Sequence, residues 1–361
     1  MTDIPHERAA RHGRNQNISP QSTQRTQRKT SGRQNSIHSE TLKIPLSSTT
    51  LRIAVIGPGA IGLFFGGLLS RLGLDVRFLD KSEERAAYLV KHDLLLEEPT
   101  GVTSIPIKVT TDTAGIGPCD LVIICVKSYD TESAASLLPS LIHQNTLVLT
   151  LQNGLGHVEV LKKVLPERQI AVGVTFHGVT LVETGHIRHA GAGPTCIGSF
   201  LPDERMSGQL AKLAEILTAA GLATKLVDNI EEIVWNKLMV NIGINALSAL
   251  TRLENGNLVK FPEIQNLMAM AITEALAVAR GKGLRANPQA VEEAKAACLA
   301  TVENRSSMLQ DVLNKKRTEI EAINGAVVKE AKTLGIATPV NEVLTILVKS
   351  IEKSYNLQAE R

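Results

Sequence analysis

The chain has 361 residues, of which 43% are hydrophobic and 3% aromatic, and its formal net charge is +3. Residues 1–45 hold eight Lys/Arg and three Asp/Glu, which leaves 31 basic and 33 acidic residues in the remainder. That remainder lacks the basic excess of a nucleic-acid-binding body, and the low aromatic content disfavours a base-stacking surface. The length predicts two domains, each with a sizeable core.

The first 48 residues are rich in Gln, Arg, Ser, Thr and Asn and have almost no apolar periodicity. Such a segment buries too little apolar surface to offset the entropy of ordering, so we predict a disordered basic tail at 1–48. A nucleic-acid-binding arm or a targeting peptide is the alternative, although Asp3 and Glu7 interrupt an early basic helix. The absence of an 18-residue apolar run and of a C-x-x-C pair favours a cytoplasmic protein with no membrane span.

From residue 51 onward, short aliphatic runs alternate with segments of helical length. The predicted strands lie at 51–56, 75–79, 120–126, 146–151 and 170–175. Continuous aliphatic runs are typical of buried parallel strands, and helix-length spacing indicates βαβ units. A β-like segment follows residue 175, and the sequence beyond 207 has helical periodicity. The predicted fold class is α/β, with a Rossmann-type parallel-sheet domain at 49–206 followed by an all-helical domain at 207–361.

The motif G-P-G-A-I-G at 57–62 follows the first predicted strand and precedes a helical stretch. In a G-x-G-x-x-G turn, the first glycine permits the tight turn, the second lets a pyrophosphate approach the backbone, and the third allows close packing of helix and strand. The strand before the motif and the helix after it strengthen the prediction of a dinucleotide site. Its expected contacts are Gly57, Gly59, Ala60, Ile61 and Gly62.

Asp80 ends the second predicted strand, 18 residues after Gly62. A carboxylate at this place would accept hydrogen bonds from the adenosine ribose hydroxyls and repel a 2′-phosphate, which favours NAD(H). Lys81 follows directly and Arg85 lies one turn further on. Either cation could neutralise a 2′-phosphate, although both are equally typical of a solvated helix start. The choice between NAD(H) and NADP(H) therefore stays open at this point.

Two later strands end in polar side chains at the same predicted edge of the sheet. Lys127 follows the run at 120–126, and Asn153 follows the run at 146–151 within Gln-Asn-Gly. Ligands bind at the carboxyl ends of strands in open α/β sheets, so both side chains are candidates for cofactor contact. The alternatives are a surface lysine and a turn asparagine before glycine.

The predicted helical domain carries an unusual polar stripe. Lys237, Asn241 and Asn245 recur at a spacing of four within an otherwise aliphatic helix. Three unpaired polar groups would be costly to bury, so the stripe predicts a wet or ligand-filled cleft, with a solvent-facing stripe as the alternative. A second polar cluster occupies 304–311 and 318–325, and each of its parts alone would be typical of a surface helix.

Taken together, these motifs resemble the ketopantoate reductase (2-dehydropantoate 2-reductase) family from residue 51 to about residue 350. The resemblance implies reduction of the 2-keto group of ketopantoate with NADPH to give (R)-pantoate for pantothenate and coenzyme A synthesis. It also implies that Lys237 is the general acid and that Glu319 holds the substrate hydroxyl and tunes this lysine. A homodimer is a further implication.

The same resemblance assigns the remaining contacts. It places Lys127 and Asn153 at the junction of cofactor and substrate. The side chains implied to bind substrate are those of Asn241, Asn245, Asn255, Asn304 and Ser307. One departure concerns the cofactor: the family often has arginine near Lys81, whereas here Asp80 precedes a lysine.

The chemistry of the residues independently favours a reductase. Hydride arrival at a carbonyl builds alkoxide charge, which a lysine can protonate or stabilise, and burial would lower the pKa of that lysine. No His/Asp/Glu cluster suggests a metal. Two alternatives remain: a related enzyme for another 2-keto or 2-hydroxy acid, and a non-catalytic dinucleotide sensor. Lys237 and Glu319 disfavour the sensor, because a sensor needs no proton donor.

Overall fold

The computed structural model describes residues 51–201 and 203–359, so the predicted tail at 1–48 lies outside the described residues. In chain order the described strands are β1 (Arg52–Ile56), β2 (Asp75–Leu79), β3 (Leu94–Glu98), β4 (Gly101–Ile105), β5 (Lys108–Thr110), β6 (Leu121–Ile124), β7 (Leu147–Thr150), β8 (Ile170–Thr175), β9 (Gly178–Glu183), β10 (His186–Gly191), β11 (Thr195–Gly198) and β12 (Thr224–Leu226). All five predicted strands are present, and β2 and β8 match their predicted bounds at both ends.

The helices fall between these strands and then follow them. They are α1 (Ala60–Arg71), α2 (Glu83–Lys91), α3 (Thr131–Leu137), α4 (His157–Leu161), α5 (Glu204–Ala219), α6 (Ile230–Thr251), α7 (Asn255–Leu258), α8 (Pro262–Gly281), α9 (Ala290–Ala300), α10 (Ser307–Leu313), α11 (Asn324–Leu334) and α12 (Pro339–Ala359). This order confirms the predicted fold class, a mostly parallel sheet with helices followed by a helical region.

The main sheet has the strand order β12-β11-β8-β7-β6-β1-β2-β5. Its pairs are parallel except that β11 runs antiparallel to β8. Strands β6 and β7 are buried along their whole length, because helices cover both faces of the sheet. The side chains of these two strands are accordingly almost all aliphatic. The carboxyl ends of β1, β6 and β7 lie side by side, which brings the turns that follow them together. A smaller sheet, in the order β4-β3-β10-β9, adjoins α1.

The sheet region extends further than the predicted boundary at 206. Helix α5 packs against the core of the main sheet through Leu210, Leu213 and Leu217, and β12 pairs with β11 at the sheet edge. The helical region therefore begins at α6. Periodicity identified α5 as a helix, but an apolar stripe does not say which core it covers.

The helical region is built around α6. Its apolar side chains pack with α8, α9, α10 and α12 into a separate core that includes Trp235, Met239 and Ile242. By length and composition alone α6 could cross a membrane, yet most of its residues are buried inside the protein. It is therefore the core helix of this region, and it presents Lys237 to the sheet.

Candidate functional site

The glycine turn after β1 leaves space where a phosphate would lie. Gly57 has φ +92°, and a Cβ there would lie 2.8 Å from a side-chain carbon of Val126. A Cβ on Gly62 would collide with the Gly57 carbonyl oxygen, whereas a Cβ on Gly59 would meet no atom within 4 Å. Gly59 stands directly before α1, whose first backbone N–H groups have no partner within the helix. The turn thus fits the pyrophosphate of a dinucleotide.

The other predicted contacts of the pyrophosphate occupy the start of α1. Ala60 and Ile61 are its first two residues and are half-buried, so their backbone N–H groups border the open space at Gly59. The positive end of a 12-residue helix therefore faces this space. The five predicted residues of the motif thus lie in the turn after β1 and in the first turn of α1.

Asp80 lies at the carboxyl end of β2, but its carboxylate is occupied within the chain. The side chain is fully buried and accepts hydrogen bonds from the Ser82 N–H at 3.0 Å and from the Arg85 guanidinium. This differs from the expected role at the ribose, which needs an exposed carboxylate oxygen. Lys81 is 69% exposed and extends to Asp130, with 2.7 Å between Nζ and Oδ2.

Lys237 on α6 reaches the carboxyl ends of the sheet strands. Its Nζ donates to Asn153 Oδ1 and to the Thr175 carbonyl oxygen, both at 2.9 Å. Burial lowers the pKa of Lys237 to about 8, and the nearby Glu319 carboxylate opposes this shift. The structure therefore brings Lys237 and Asn153 together and gives the lysine a pKa suited to proton transfer near neutral pH.

A second charged group lies on the loop after β6. Lys127 Nζ is 2.8 Å from Asp311 Oδ2 and 3.4 Å from Glu319 Oε2, and the Ser128 N–H donates to Glu319 Oε1 at 3.0 Å. Burial acts to lower the pKa of Lys127, but the Glu319 and Asp311 carboxylates outweigh it and raise that pKa. Burial raises the pKa of Asp311, and the Lys127 ammonium opposes only part of this increase. Lys127 thus pairs with two carboxylates from the helical region.

Glu319 reaches the sheet because its chain segment docks on the loop after β7. Gly154, with φ +82°, lies so close to the backbone of Ala322 that a Cβ would collide with its carbonyl oxygen. The next N–H, of Leu155, donates to the same carbonyl at 2.9 Å. These contacts place the loops after β6 and β7 against the turn that carries Glu319.

The predicted substrate residues occupy two places. Asn241 and Asn245 follow Lys237 by one and two turns of α6, half-buried and buried respectively. Ser307 is exposed at the start of α10, which packs on α6, and lies one helical turn before Asp311. This spacing puts Ser307 on the face of α10 that meets Lys127.

Asn255 and Asn304 form a separate pair. The N–H of Asn255 donates to the Asn304 carbonyl oxygen at 2.9 Å, and its side-chain amide donates to Thr301 Oγ1 at 2.9 Å. Asn255 is buried and Asn304 exposed. The hydrogen bonds of this pair thus connect α7 to the segment after α9 and do not reach Lys237 or Glu319.

Sequence reasoning missed two partners at the centre of the site. Asp311 has a detectable signal, because it lies four residues after Ser307 and closes a polar run. Thr175 contributes a backbone carbonyl, for which no side-chain pattern exists. In the described ranges 51–201 and 203–359, no three His, Cys, Asp or Glu side chains are grouped so as to hold a metal ion.

Comparison with known proteins covers both regions of the chain. A family model described as "Ketopantoate reductase PanE/ApbA" matches residues 53–202, and one described as "Ketopantoate reductase PanE/ApbA C terminal" matches 229–352. A 2-dehydropantoate 2-reductase of Halobacterium salinarum is 37% identical over 304 residues, which cover 84% of this chain and 99% of that protein.

Solved structures give the same result. A PanE/ApbA family ketopantoate reductase from Ralstonia eutropha superposes with a TM-score of 0.77 at 33% identity, covering 84% of this chain and 99% of its own. A D-mandelate dehydrogenase with NADH and anilino(oxo)acetate superposes with a TM-score of 0.80 at 28% identity, covering 85% of this chain and 99% of its own. Both similarities therefore extend through the sheet region and the helical region.

Proposed function

This chain belongs to the ketopantoate reductase family, and on that premise we propose that it reduces the 2-keto group of 2-dehydropantoate to give (R)-pantoate, a step of pantothenate and coenzyme A synthesis. The observation that carries the proposal is the position of Lys237. A half-buried lysine, whose pKa desolvation lowers to about 8, donates a hydrogen bond to Asn153 at the carboxyl edge of a dinucleotide-binding sheet, and the Glu319 carboxylate lies nearby.

The dinucleotide would be held by backbone and side chains already described. The turn formed by Gly57, Gly59 and Gly62, with the first N–H groups of α1, would bind the pyrophosphate. Lys127 and Asn153 would contact the end of the cofactor that meets the substrate. The nicotinamide ring, when bound, supplies the hydride that reduces the keto carbon.

Lys237 supplies the proton. As the carbonyl carbon accepts hydride, its oxygen gains negative charge, and the Lys237 ammonium donates a proton to that oxygen. Asn153 and the Thr175 carbonyl restrict Nζ to one position, which lowers the entropic cost of reaching the reactive geometry. The Glu319 carboxylate raises the pKa of Lys237, in opposition to burial, and so favours the protonated lysine. Glu319 also accepts a hydrogen bond from the substrate hydroxyl.

The substrate lies between α6 and α10 in this proposal. Asn241, Asn245 and Ser307 offer amide and hydroxyl groups in the direction of the lysine. A contact of Asn255 and Asn304 with substrate stays a prediction, because they form a separate pair; Asn255 Oδ1 is buried without a described protein partner and can accept a hydrogen bond. Lys127 and the Lys237 ammonium together balance the charges of the Asp311 and Glu319 carboxylates, so an anionic substrate does not meet an excess of negative charge at this place.

The cofactor we propose is NADPH. The Asp80 carboxylate is buried and paired with Arg85, so its repulsion of a 2′-phosphate is offset. Lys81 is largely exposed just after β2, and its ion pair with Asp130 lies at the surface, where such pairs contribute little. Lys81 can therefore turn to a 2′-phosphate at low cost.

The steady-state test uses purified full-length chain, ketopantoate, and either NADPH or NADH. The expected result is ketopantoate-dependent oxidation of the cofactor, with kcat/KM at least about tenfold higher for NADPH, since one charged contact to phosphate contributes on this order. Absence of oxidation with both cofactors would overturn the proposed reaction. A higher kcat/KM with NADH would overturn the cofactor assignment alone.

A second candidate is reduction of another 2-keto acid, which the similarity to D-mandelate dehydrogenase favours. The same assay with aromatic and aliphatic 2-keto acids separates the two. Activity confined to those substrates would select this candidate, and cofactor binding without any turnover would select a sensor.

Two further expectations belong to the proposal. A cytoplasmic location is supported by the four free cysteines of the described residues and by the burial of α6. A homodimer, implied by the resemblance, stays a prediction that light scattering of the purified chain would test.

A further inference from the structure

The turn that carries Glu319 is anchored by the last helix. Glu352 on α12 accepts two hydrogen bonds from Thr318 through the same oxygen, one from the backbone N–H at 2.7 Å and one from the hydroxyl at 2.6 Å. Thr318 is buried, and its Oγ1 also accepts the N–H of Ile320 at 3.2 Å. The residues on both sides of Glu319 are therefore tied to one carboxylate, either directly or through a single hydroxyl.

The side chain of Glu319 is held from a different part of the chain. Its Oε1 accepts the Ser128 N–H at 3.0 Å, and its Oε2 lies 3.4 Å from Lys127 Nζ. The sheet loop thus fixes the carboxylate, while α12 fixes the backbone that presents it. Because hydrogen bonds to a carboxylate are strong, loss of the α12 contact would let the turn relax away from the loop.

We propose that Glu352 is a positioning residue for Glu319, which holds the turn at 318–320 so that the Glu319 carboxylate stays within reach of Lys127 and Lys237. The inference rests on the proposed function, which gives Glu319 its task. Glu352 acts through Thr318 and is not itself a catalytic residue.

The charged groups around this turn are compensated. Arg317 and Lys349 bind the Glu321 carboxylate at 2.8 and 2.6 Å, and Arg317 also lies over the Tyr129 ring. Tyr355 is close enough to Glu352 for the carboxylate to raise its pKa, although burial raises it more. None of these described contacts connects Glu352 to the turn that carries Glu319. The direct connection is therefore made by the two hydrogen bonds from Thr318 to Glu352.

A displacement of Glu319 can be detected through the pKa of Lys237. Burial lowers the pKa of Lys237, and the Glu319 charge opposes that shift; Lys127 and Asp311 complete the charged groups on this side of the site. If Glu319 moves away, the pKa of Lys237 falls further below its ordinary value. A purely structural defect would lower the melting temperature without moving this pKa.

The experiment compares Glu352→Ala, Glu352→Gln and the control Glu342→Ala. A glutamine carbonyl can accept both bonds that Glu352 Oε1 accepts, so Glu352→Gln keeps the contact without the charge. Glu342 lies on the same helix, is 46% exposed and has only a 4.0 Å approach to Lys332. Two quantities are measured on the full chain: the Lys237 pKa by NMR titration of labelled lysine, and kcat/KM for ketopantoate against pH.

For Glu352→Ala we expect the Lys237 pKa to fall by about half a unit or more, the direction set by loss of a nearby opposite charge. We expect kcat/KM to fall about tenfold to a hundredfold, as for a small displacement of a catalytic group. Glu352→Gln and Glu342→Ala should match the wild type in both quantities. Folded Glu352→Ala with an unchanged Lys237 pKa would overturn the proposal, and so would Glu352→Gln as impaired as Glu352→Ala.

If Glu352→Ala does not fold, Thr318→Val and Thr318→Ser make the same comparison. Valine removes the hydroxyl that joins Glu352 to the Ile320 N–H, and serine keeps it. The proposal then requires a lowered Lys237 pKa in the valine variant alone. A wild type that is inactive on ketopantoate would refute the proposed reaction. The NMR titration needs no turnover, so it would still test whether Glu352 positions Glu319.

Discussion

Replacing Lys237 by alanine removes the proposed proton donor from the centre of the site. In the wild type Nζ makes two hydrogen bonds of 2.9 Å, to Asn153 and to the Thr175 carbonyl. The variant leaves both acceptors in place and does not alter the glycine turn after β1. Proton transfer should therefore fail while dinucleotide binding persists.

The size of the effect follows from the pKa of the lysine. A pKa of about 8, against an ordinary 10.5, means that burial and the opposing Glu319 charge together disfavour the ammonium by about 3 kcal/mol. Even so, about 90% of Lys237 is protonated at pH 7 and about 10% at pH 9. Since reduction consumes the proton, kcat/KM of the wild type should fall about tenfold per pH unit above that pKa. Loss of a general acid should lower kcat about 10²- to 10⁴-fold, or about 3 to 5 kcal/mol.

The assay combines steady-state ketopantoate reduction from pH 6 to 9.5 with fluorescence titration of NADPH binding. Lys212→Ala, an exposed lysine on α5, is the matched control and should behave as the wild type. The Lys237→Ala profile should lose its alkaline limb, and its NADPH Kd should stay within about threefold of the wild type. The reasoning is refuted if the limb near pH 8 persists in the variant, or if Kd rises as much as kcat falls.

Two other predictions address the cofactor site. Gly59→Ala should keep the free energy of unfolding within about 0.5 kcal/mol of the wild type but weaken NADPH binding, because the new Cβ occupies only the open space of the turn. Gly62→Ala should instead lower the free energy of unfolding by about 2 kcal/mol or more, because the new Cβ collides with the Gly57 carbonyl oxygen. Denaturant unfolding and NADPH titration of both variants test this, and equal effects of the two on folding would contradict it. Lys81→Glu should lower the ratio of kcat/KM for NADPH to that for NADH about 10- to 100-fold, since a charged contact to phosphate is replaced by repulsion; an unchanged ratio would show that Lys81 does not meet the 2′-phosphate.

The sequence predicted the sheet well because its strands are continuous aliphatic runs, as β2 and β8 show by matching both predicted bounds. Helix α5 shows where this reasoning stops. Its helical period was evident, but the core that it covers depends on tertiary packing, so the boundary between the regions was placed too early. The buried pairing of Asp80 with Arg85 likewise depends on how α2 is oriented after β2, which no spacing rule specifies.

The site was predictable in parts. Each polar side chain at a strand end or on the α6 stripe could be recognised as unusual, but Asn153 and Lys237 are 84 residues apart, and their contact follows from how α6 crosses the sheet. The resemblance to a family joined these parts. The contact with the Thr175 carbonyl could not be predicted, because a backbone group has no side-chain pattern in the sequence. Asp311 was not singled out, because the polar run at 304–311 is by itself typical of a surface helix.

The most direct test of the central claim follows the hydride itself. Ketopantoate is incubated with the full chain and NADPH carrying deuterium on the transferred side of the nicotinamide, and the product is examined by NMR and chiral chromatography. We expect (R)-pantoate with one deuterium at C2 from the wild type and very little labelled product from Lys237→Ala. Wild-type chain that yields no C2-labelled pantoate under these conditions would contradict it.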